Sequence, residues 1–177
     1  FIKNMTTTIL SKQTLLFDAA IVGGACLIPS ASHLLALPLY QFDPMRWLLL
    51  GALVVGWRNN RMLSNGLIMA LLLPLVSCLV AGMPSLAKAG LMAVELMANV
   101  AVFGAVASLG KGLQGKGKVF GAMLLSVVVA KGVYYALKAC CIGMGLMEGA
   151  VVGTSLLLQG GLAIAIALTA ALTLNRR

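Results

Sequence analysis

Two ionisable residues, Glu95 and Lys131, stand well inside long apolar runs, and they carry most of what this sequence says about chemistry. A charge at the centre of a bilayer costs at least ~2.5 kcal/mol on insertion scales, so it persists where it meets a partner or a wet cavity. Glu95 stands about ten residues inside its run, roughly 15 Å along a helix that rises 1.5 Å per residue. Asn99 follows on the same helical face. Lys131 lies at a similar depth in the next run and begins a polar stripe with Tyr134, Tyr135 and Lys138. Gln159 adds an amide in the last run, and Arg46 and Trp47 open a short one. Residues of these types suit the gripping of a small polar molecule. Arg46, Lys131 and Lys138 outnumber Glu95, which favours an anionic or carboxylate-bearing ligand, with Lys131 on its anionic or carbonyl group. Trp47, Tyr134 and Tyr135 offer faces for a ring. Two alternatives stand beside this reading. A neutral heterocycle can be held through Glu95 and Asn99, or the polar residues have no ligand role, with Glu95 and Lys131 forming an ion pair that only satisfies itself or Lys131 snorkelling to the surface. Trp47 equally suits an interfacial anchor.

Catalytic signatures are missing. The sequence has no P-loop, no Gly-x-Ser-x-Gly, no His-Glu-x-x-His and no paired-carboxylate array on one face. The glycine-rich segment at 110–117 does not have phosphate-loop spacing and reads as a flexible basic turn. His33 is the single histidine, with no second ligand at metal spacing. Cys26, Cys78, Cys140 and Cys141 lie in or at the ends of apolar segments and read as small packing residues. The expectation is a protein that is not an enzyme, takes no cofactor or metal, and has no evident means of hydrolysing ATP itself.

The elements that must position these residues follow from composition. Of 177 residues, 61% are hydrophobic and 10% charged, against roughly a quarter charged in soluble domains. Water cannot be the main solvent for such a chain. Apolar runs near the ~20 residues that cross a bilayer fall at 14–29, 44–57, 62–80, 85–109, 119–140 and 149–174. The expected fold is an all-α integral membrane bundle of six transmembrane helices, one domain over residues 1–177. The second span is short, and Asp43 followed by Pro44 marks its start as an N-cap and first helical position. Residues 30–42, with His33, Pro38 and Tyr40, read as a re-entrant or roofing loop above it. Asp18 is expected to be solvated or to pair with Lys12.

The net charge of +9 would suit nucleic acid in a soluble protein. Here the bases form short clusters between apolar runs, which is how a membrane protein is oriented, and no nucleic-acid partner is expected. Lys3, Lys12, Arg58, Arg61, Lys111, Lys116, Lys118, Arg176 and Arg177 fall on one side; Arg46, Lys88, Lys131 and Lys138 fall opposite or within spans. Nine against four places both termini in the cytoplasm, as an even number of spans requires. The first span follows basic residues as a signal peptide does, but it lacks a convincing cleavage site and is expected to remain a helix of the mature protein.

In that first span Ala19, Ala20, Gly23 and Gly24 form two overlapping small-xxx-small pairs that admit another helix backbone to backbone. They serve either internal packing or docking of another membrane subunit. At Ala81-Gly82-Met83-Pro84, followed by the run Met92 to Met97 and by Gly104, the sequence resembles the substrate-binding (S) components of energy-coupling factor (ECF) transporters. Many of these carry a Gly-Met-Pro-Pro turn before the fourth helix and a Met-Ala-x-Glu-Leu run within it. The short span from Pro44, the turn Trp57-Arg58-Asn59-Asn60-Arg61 and the small-residue stripe are similar too, so the likeness covers roughly residues 17–107. Ser85 replaces the second proline, and the stripe reads Ala-Ala-x-x-Gly-Gly where an alanine pair four apart is usual.

The resemblance implies a subunit that captures a vitamin or related micronutrient from the outer side of a bacterial or archaeal plasma membrane. It further implies docking through the first helix on a transmembrane coupling subunit driven by two cytoplasmic ATPases, with toppling to release the cargo. A membrane enzyme acting on lipid head groups, with Lys131 or Arg46 on phosphate, is the second reading, and a purely structural membrane subunit is the third.

Overall fold

The computed structural model describes residues 12–35, 42–58, 61–82, 84–109, 115–151 and 155–174. They form six helices: α1 Lys12–Leu35, α2 Pro44–Arg58, α3 Met62–Ala81, α4 Leu86–Leu109, α5 Lys116–Gly143 and α6 Leu156–Thr173. No strand occurs among the described residues. Four of the helices, α3 to α6, are long and apolar enough to cross a membrane. Their outward faces carry bare leucines, such as Leu79, Leu157 and Leu172, a surface that suits hydrocarbon and not water.

Neighbours in sequence are neighbours in space. Each of α3 to α6 packs on the one before it, α1 lies against α2 and α3, and α6 also touches α2. The shared core draws Leu49 and Leu53 from α2, Leu73 from α3, Phe103 from α4, Met123 from α5 and Ile166 from α6. Small residues set the closest approaches. A Cβ on Gly56 would stand 2.9 Å from the Met62 backbone, and one on Gly66 2.7 Å from Leu53 and 2.9 Å from Val100. These glycines let α2, α3 and α4 come together at a separation that a side chain would not permit.

Helices α2, α3 and α4 begin and end within a residue or so of the sequence expectation. The reason is local. Gly82 closes α3 in the left-handed conformation at φ 68°, and Pro84 is buried two residues before Leu86, where α4 begins. The other three helices differ. α1 does not end at Pro29; it runs through the proline to Leu35, so residues 30–35 are helix and not loop, while the rest of the proposed roof at 36–41 lies outside the described residues. Proline removes one backbone donor from a helix, and α1 nonetheless continues past Pro29, which is buried. α5 extends beyond 119–140 at both ends. α6 starts at Leu156 and not near 149, because Gly149 takes φ 107° and Ser155 is the cap, its side chain accepting from the Leu158 N–H.

At the other end of the bundle Asn65 ties three helices together. Its Nδ2 donates to Asp18 of α1 at 3.2 Å and to the Ala52 carbonyl of α2 at 3.1 Å. Asp18 therefore has a neutral amide partner on α3.

Candidate functional site

The site begins at the first turn of α2. Asp43, at the helix entrance, has φ 53°, in the left-handed region that Asp tolerates better than most residues. Its backbone carbonyl accepts from the Arg46 N–H at 3.0 Å. Its carboxylate Oδ2 lies 3.2 Å from Arg46 Nη1 and 3.1 Å from Lys131 Nζ of α5. On the facing helix α4, Glu95 Oε1 accepts a hydrogen bond from Arg46 Nη2 and stands 2.9 Å from Lys131 Nζ. Two carboxylates and two cations thus close into a ring in which each touches both groups of opposite sign, with formal charges that cancel. Such a ring is what an apolar bundle requires, since each ion taken from water is costly unless paired and hydrogen-bonded.

Burial within the ring is graded. The Arg46 and Glu95 side chains are 3% and 6% exposed, Asp43 17% and Lys131 25%. Arg46 and Glu95 form the dry side, and Lys131 and Asp43 face the wetter one. Depth follows from helix geometry. Glu95 lies nine residues beyond Leu86, so at 1.5 Å per residue the ring sits ~14 Å below the start of α4. α2 begins level with that ring and so is a partial helix beside two longer ones.

Around the ring are further polar groups. The Lys131 ammonium is 5.7 Å from the Tyr134 ring centroid, within cation–π range. Tyr134 meets Tyr135 edge to face at 5.6 Å. Asn99 is 1% exposed, and its Nδ2 has no hydrogen-bond partner; the same is true of Arg46 Nε. Both are buried N–H donors beside Glu95, one on the guanidinium bonded to it and the other one turn along α4. Buried donors are seldom left unpaired, and each asks for an acceptor.

The remaining candidate residues divide into other groups. Tyr135 donates its hydroxyl to Gln159 Oε1, linking α5 to α6. Lys138 Nζ donates to the carbonyls of Ala150 at 2.7 Å and Val151 at 3.1 Å, tying down the connector before α6. Trp47 is half-buried against the apolar core. The stripe Lys131-Tyr134-Tyr135-Lys138 therefore splits among three sets of partners, and the expected excess of cations disappears: Arg46 and Lys131 are balanced by Asp43 and Glu95, while Lys138 is engaged with backbone. The Glu95–Lys131 ion pair does form, with Arg46 as the more deeply buried partner of the same carboxylate. Asp43 is the residue that the sequence reading assigned to capping alone. The signal for more was present in a carboxylate three residues before the arginine that opens a short span.

The small residues of α1 also divide. Ala19, Ala20 and Gly23 are exposed, and a Cβ on Gly23 would meet nothing within 4 Å. Gly24 faces inward, where a Cβ would lie 3.6 Å from Leu48 of α2, so it belongs to internal packing. No protein-family model, characterised protein or solved structure matches the chain.

Proposed function

We propose that the chain is a membrane-embedded solute-capture subunit, an S component of an ECF-type importer. In this reading six helices cross or enter the membrane, both termini are cytoplasmic, and a vitamin-like molecule is taken from the outer side at the level of the charge ring. The observation that carries the proposal is the ring of Asp43, Arg46, Glu95 and Lys131 at the start of a short helix, with two buried N–H donors beside it that have no acceptor. Pure structural pairing accounts for the charges but leaves those donors unexplained, and unpaired buried donors are costly. The exposed Ala19, Ala20 and Gly23 of α1 support docking on a coupling subunit, which with two ATPases would supply the energy.

A retained ligand provides the test. Protein purified in mild detergent, denatured and analysed by mass spectrometry of the extract should release one small organic molecule in near-stoichiometric amount. Absence of any such molecule after growth in rich medium, together with no thermal stabilisation by a panel of water-soluble vitamins and their precursors, would refute the capture reading. Topology has its own check: cysteines placed in the 110–117 turn should be protected from impermeant reagents in intact cells, and labelling from outside would reverse the orientation. On the docking face, Ala20→Leu should reduce co-purification with a coupling subunit several-fold while leaving retained ligand unchanged, because bulk there keeps another backbone away. An undiminished complex would remove α1 from the docking surface.

A further inference from the structure

Two carboxylates and an aromatic ring surround the Lys131 ammonium. Nζ lies 2.9 Å from Glu95 and 3.1 Å from Asp43, with the Tyr134 ring centroid 5.7 Å away. Two carboxylates and an aromatic face are what a cation of this size would select. From this we infer that the ligand bears a cationic nitrogen, either a protonated amine or a heteroaromatic cation, which displaces Lys131 from between Asp43 and Glu95. The inference rests on the capture reading above and specifies the substrate class of the same site.

Charge and burial decide between this and an anionic ligand. An anion approaching Lys131 would come to rest beside two carboxylates that already hold that ammonium, and it would have to displace one of them into an apolar bundle. The other cation, Arg46, is nearly inaccessible and engaged with both carboxylates. Removing the Lys131 ammonium instead leaves Asp43, Glu95 and Arg46, a site with one net negative charge, which a monocation neutralises. Lys131 is also the most exposed member of the ring, at 25% against 17% or less for the others, and its flexible stem can swing the ammonium away from the two carboxylates toward the wetter side of the ring. The unpartnered Asn99 Nδ2 and Arg46 Nε then require at least one hydrogen-bond acceptor on the same ligand. The class is a monocation carrying an acceptor oxygen or nitrogen.

This assignment reverses the sign of a mutational effect. If Lys131 contacted an anionic ligand, Lys131→Met would weaken binding; if Lys131 competes with a cation, the same change strengthens it. The probes are ethylammonium chloride and sodium propionate at equal ionic strength, read by thermal unfolding of the purified full chain. Ethylammonium should stabilise Lys131→Met at concentrations at least tenfold below those needed for wild type, propionate should stabilise neither, and adding Asp43→Asn to Lys131→Met should abolish the response. Stabilisation of wild type by propionate that is lost in Lys131→Met would overturn the assignment, as would a folded Lys131→Met protein indifferent to ethylammonium. A second measurement needs no variant. Acylation of Lys131 in the wild-type protein, followed by peptide mass spectrometry, should rise several-fold in tetramethylammonium chloride relative to sodium chloride, because the displaced ammonium becomes accessible. Unchanged or reduced acylation contradicts displacement. The two readings fail separately: a retained molecule without a cationic nitrogen defeats this inference and leaves solute capture standing, whereas absence of any retained molecule or vitamin response defeats capture.

Discussion

Helix α5 carries two lysines seven residues apart, and their surroundings could hardly differ more. Lys131 is held by two carboxylates from two other helices. Lys138 is held by two backbone carbonyls of the connector that leads into α6. Seven residues is close to two turns of helix, so the pair shares a face, and from spacing alone both belong to one outward polar stripe. The difference lies in what the rest of the bundle brings to each depth. At Lys131 the short helix α2 begins and delivers Asp43 and Arg46 while α4 delivers Glu95, so the lysine joins a closed ionic ring. At Lys138 the neighbouring chain is turning between helices and exposes carbonyls that no helical N–H reaches. One lysine participates in an electrostatic network across the bundle; the other fastens a local connection.

That contrast can be tested by removing one side chain at a time and comparing stabilities in detergent. The largest effect belongs to Arg46. Arg46→Met leaves two carboxylates facing a single ammonium in a nearly dry environment, and breaking a buried pair in this way costs ~3–5 kcal/mol. Chemical or thermal denaturation should show the loss, with part of it recovered by adding Glu95→Gln. A loss below about 1 kcal/mol would mean that water reaches the ring freely, against its 3% exposure.

Lys131→Met should cost less, ~1–3 kcal/mol, because it removes charge-assisted bonds from the most exposed member of the ring while Arg46 still contacts both carboxylates. If Lys131→Met proved more damaging than Arg46→Met, the grading of burial across the ring would be wrong. Smaller still are the effects in the α5–α6 region. Lys138→Met and Tyr135→Phe each remove bonds to uncharged partners at a partly wet edge, worth about 0.5–1.5 kcal/mol. They should also combine additively with Lys131→Met, since the hydrogen bonds they remove go to Gln159 and to the Ala150 and Val151 carbonyls, none of which Lys131 touches. Strong coupling between Lys138 and Lys131 would restore the single-stripe picture.

Much of this was legible in the sequence where the cause was local. The beginning of α2 follows from Asp43 and Pro44, the end of α3 from Gly82, and the unusual character of Glu95 and Lys131 from charges set in apolar runs. What escaped was non-local. Asp43 explained itself fully as a helix cap, so nothing in its immediate neighbourhood called for a partner on α5, three helices further along the chain. Counting cations without that carboxylate leaves the region looking positive, an excess that Asp43 removes. Pro29 reads locally as a stop, since a proline deep in a helix removes a backbone hydrogen bond, whereas α1 continues through it to Leu35. The inward turn of Gly24, as opposed to the outward Gly23, likewise depends on where α2 packs and cannot be read from a small-residue motif.

The central claim is that the charge ring binds a solute in addition to holding helices together, and the double variant Lys131→Met/Glu95→Gln tests it most directly. It removes one cation and one carboxylate together, so the site stays balanced by Asp43 and Arg46 and the chain should unfold within about 2–4 °C of wild type, the shift expected for ~1 kcal/mol. The measurement is the small-molecule content of the purified double variant beside that of wild type. The account predicts a folded protein whose retained ligand falls at least tenfold, the loss that ~1.4 kcal/mol of binding energy produces. A folded double variant that retains as much ligand as wild type would contradict it and leave the ring a structural device.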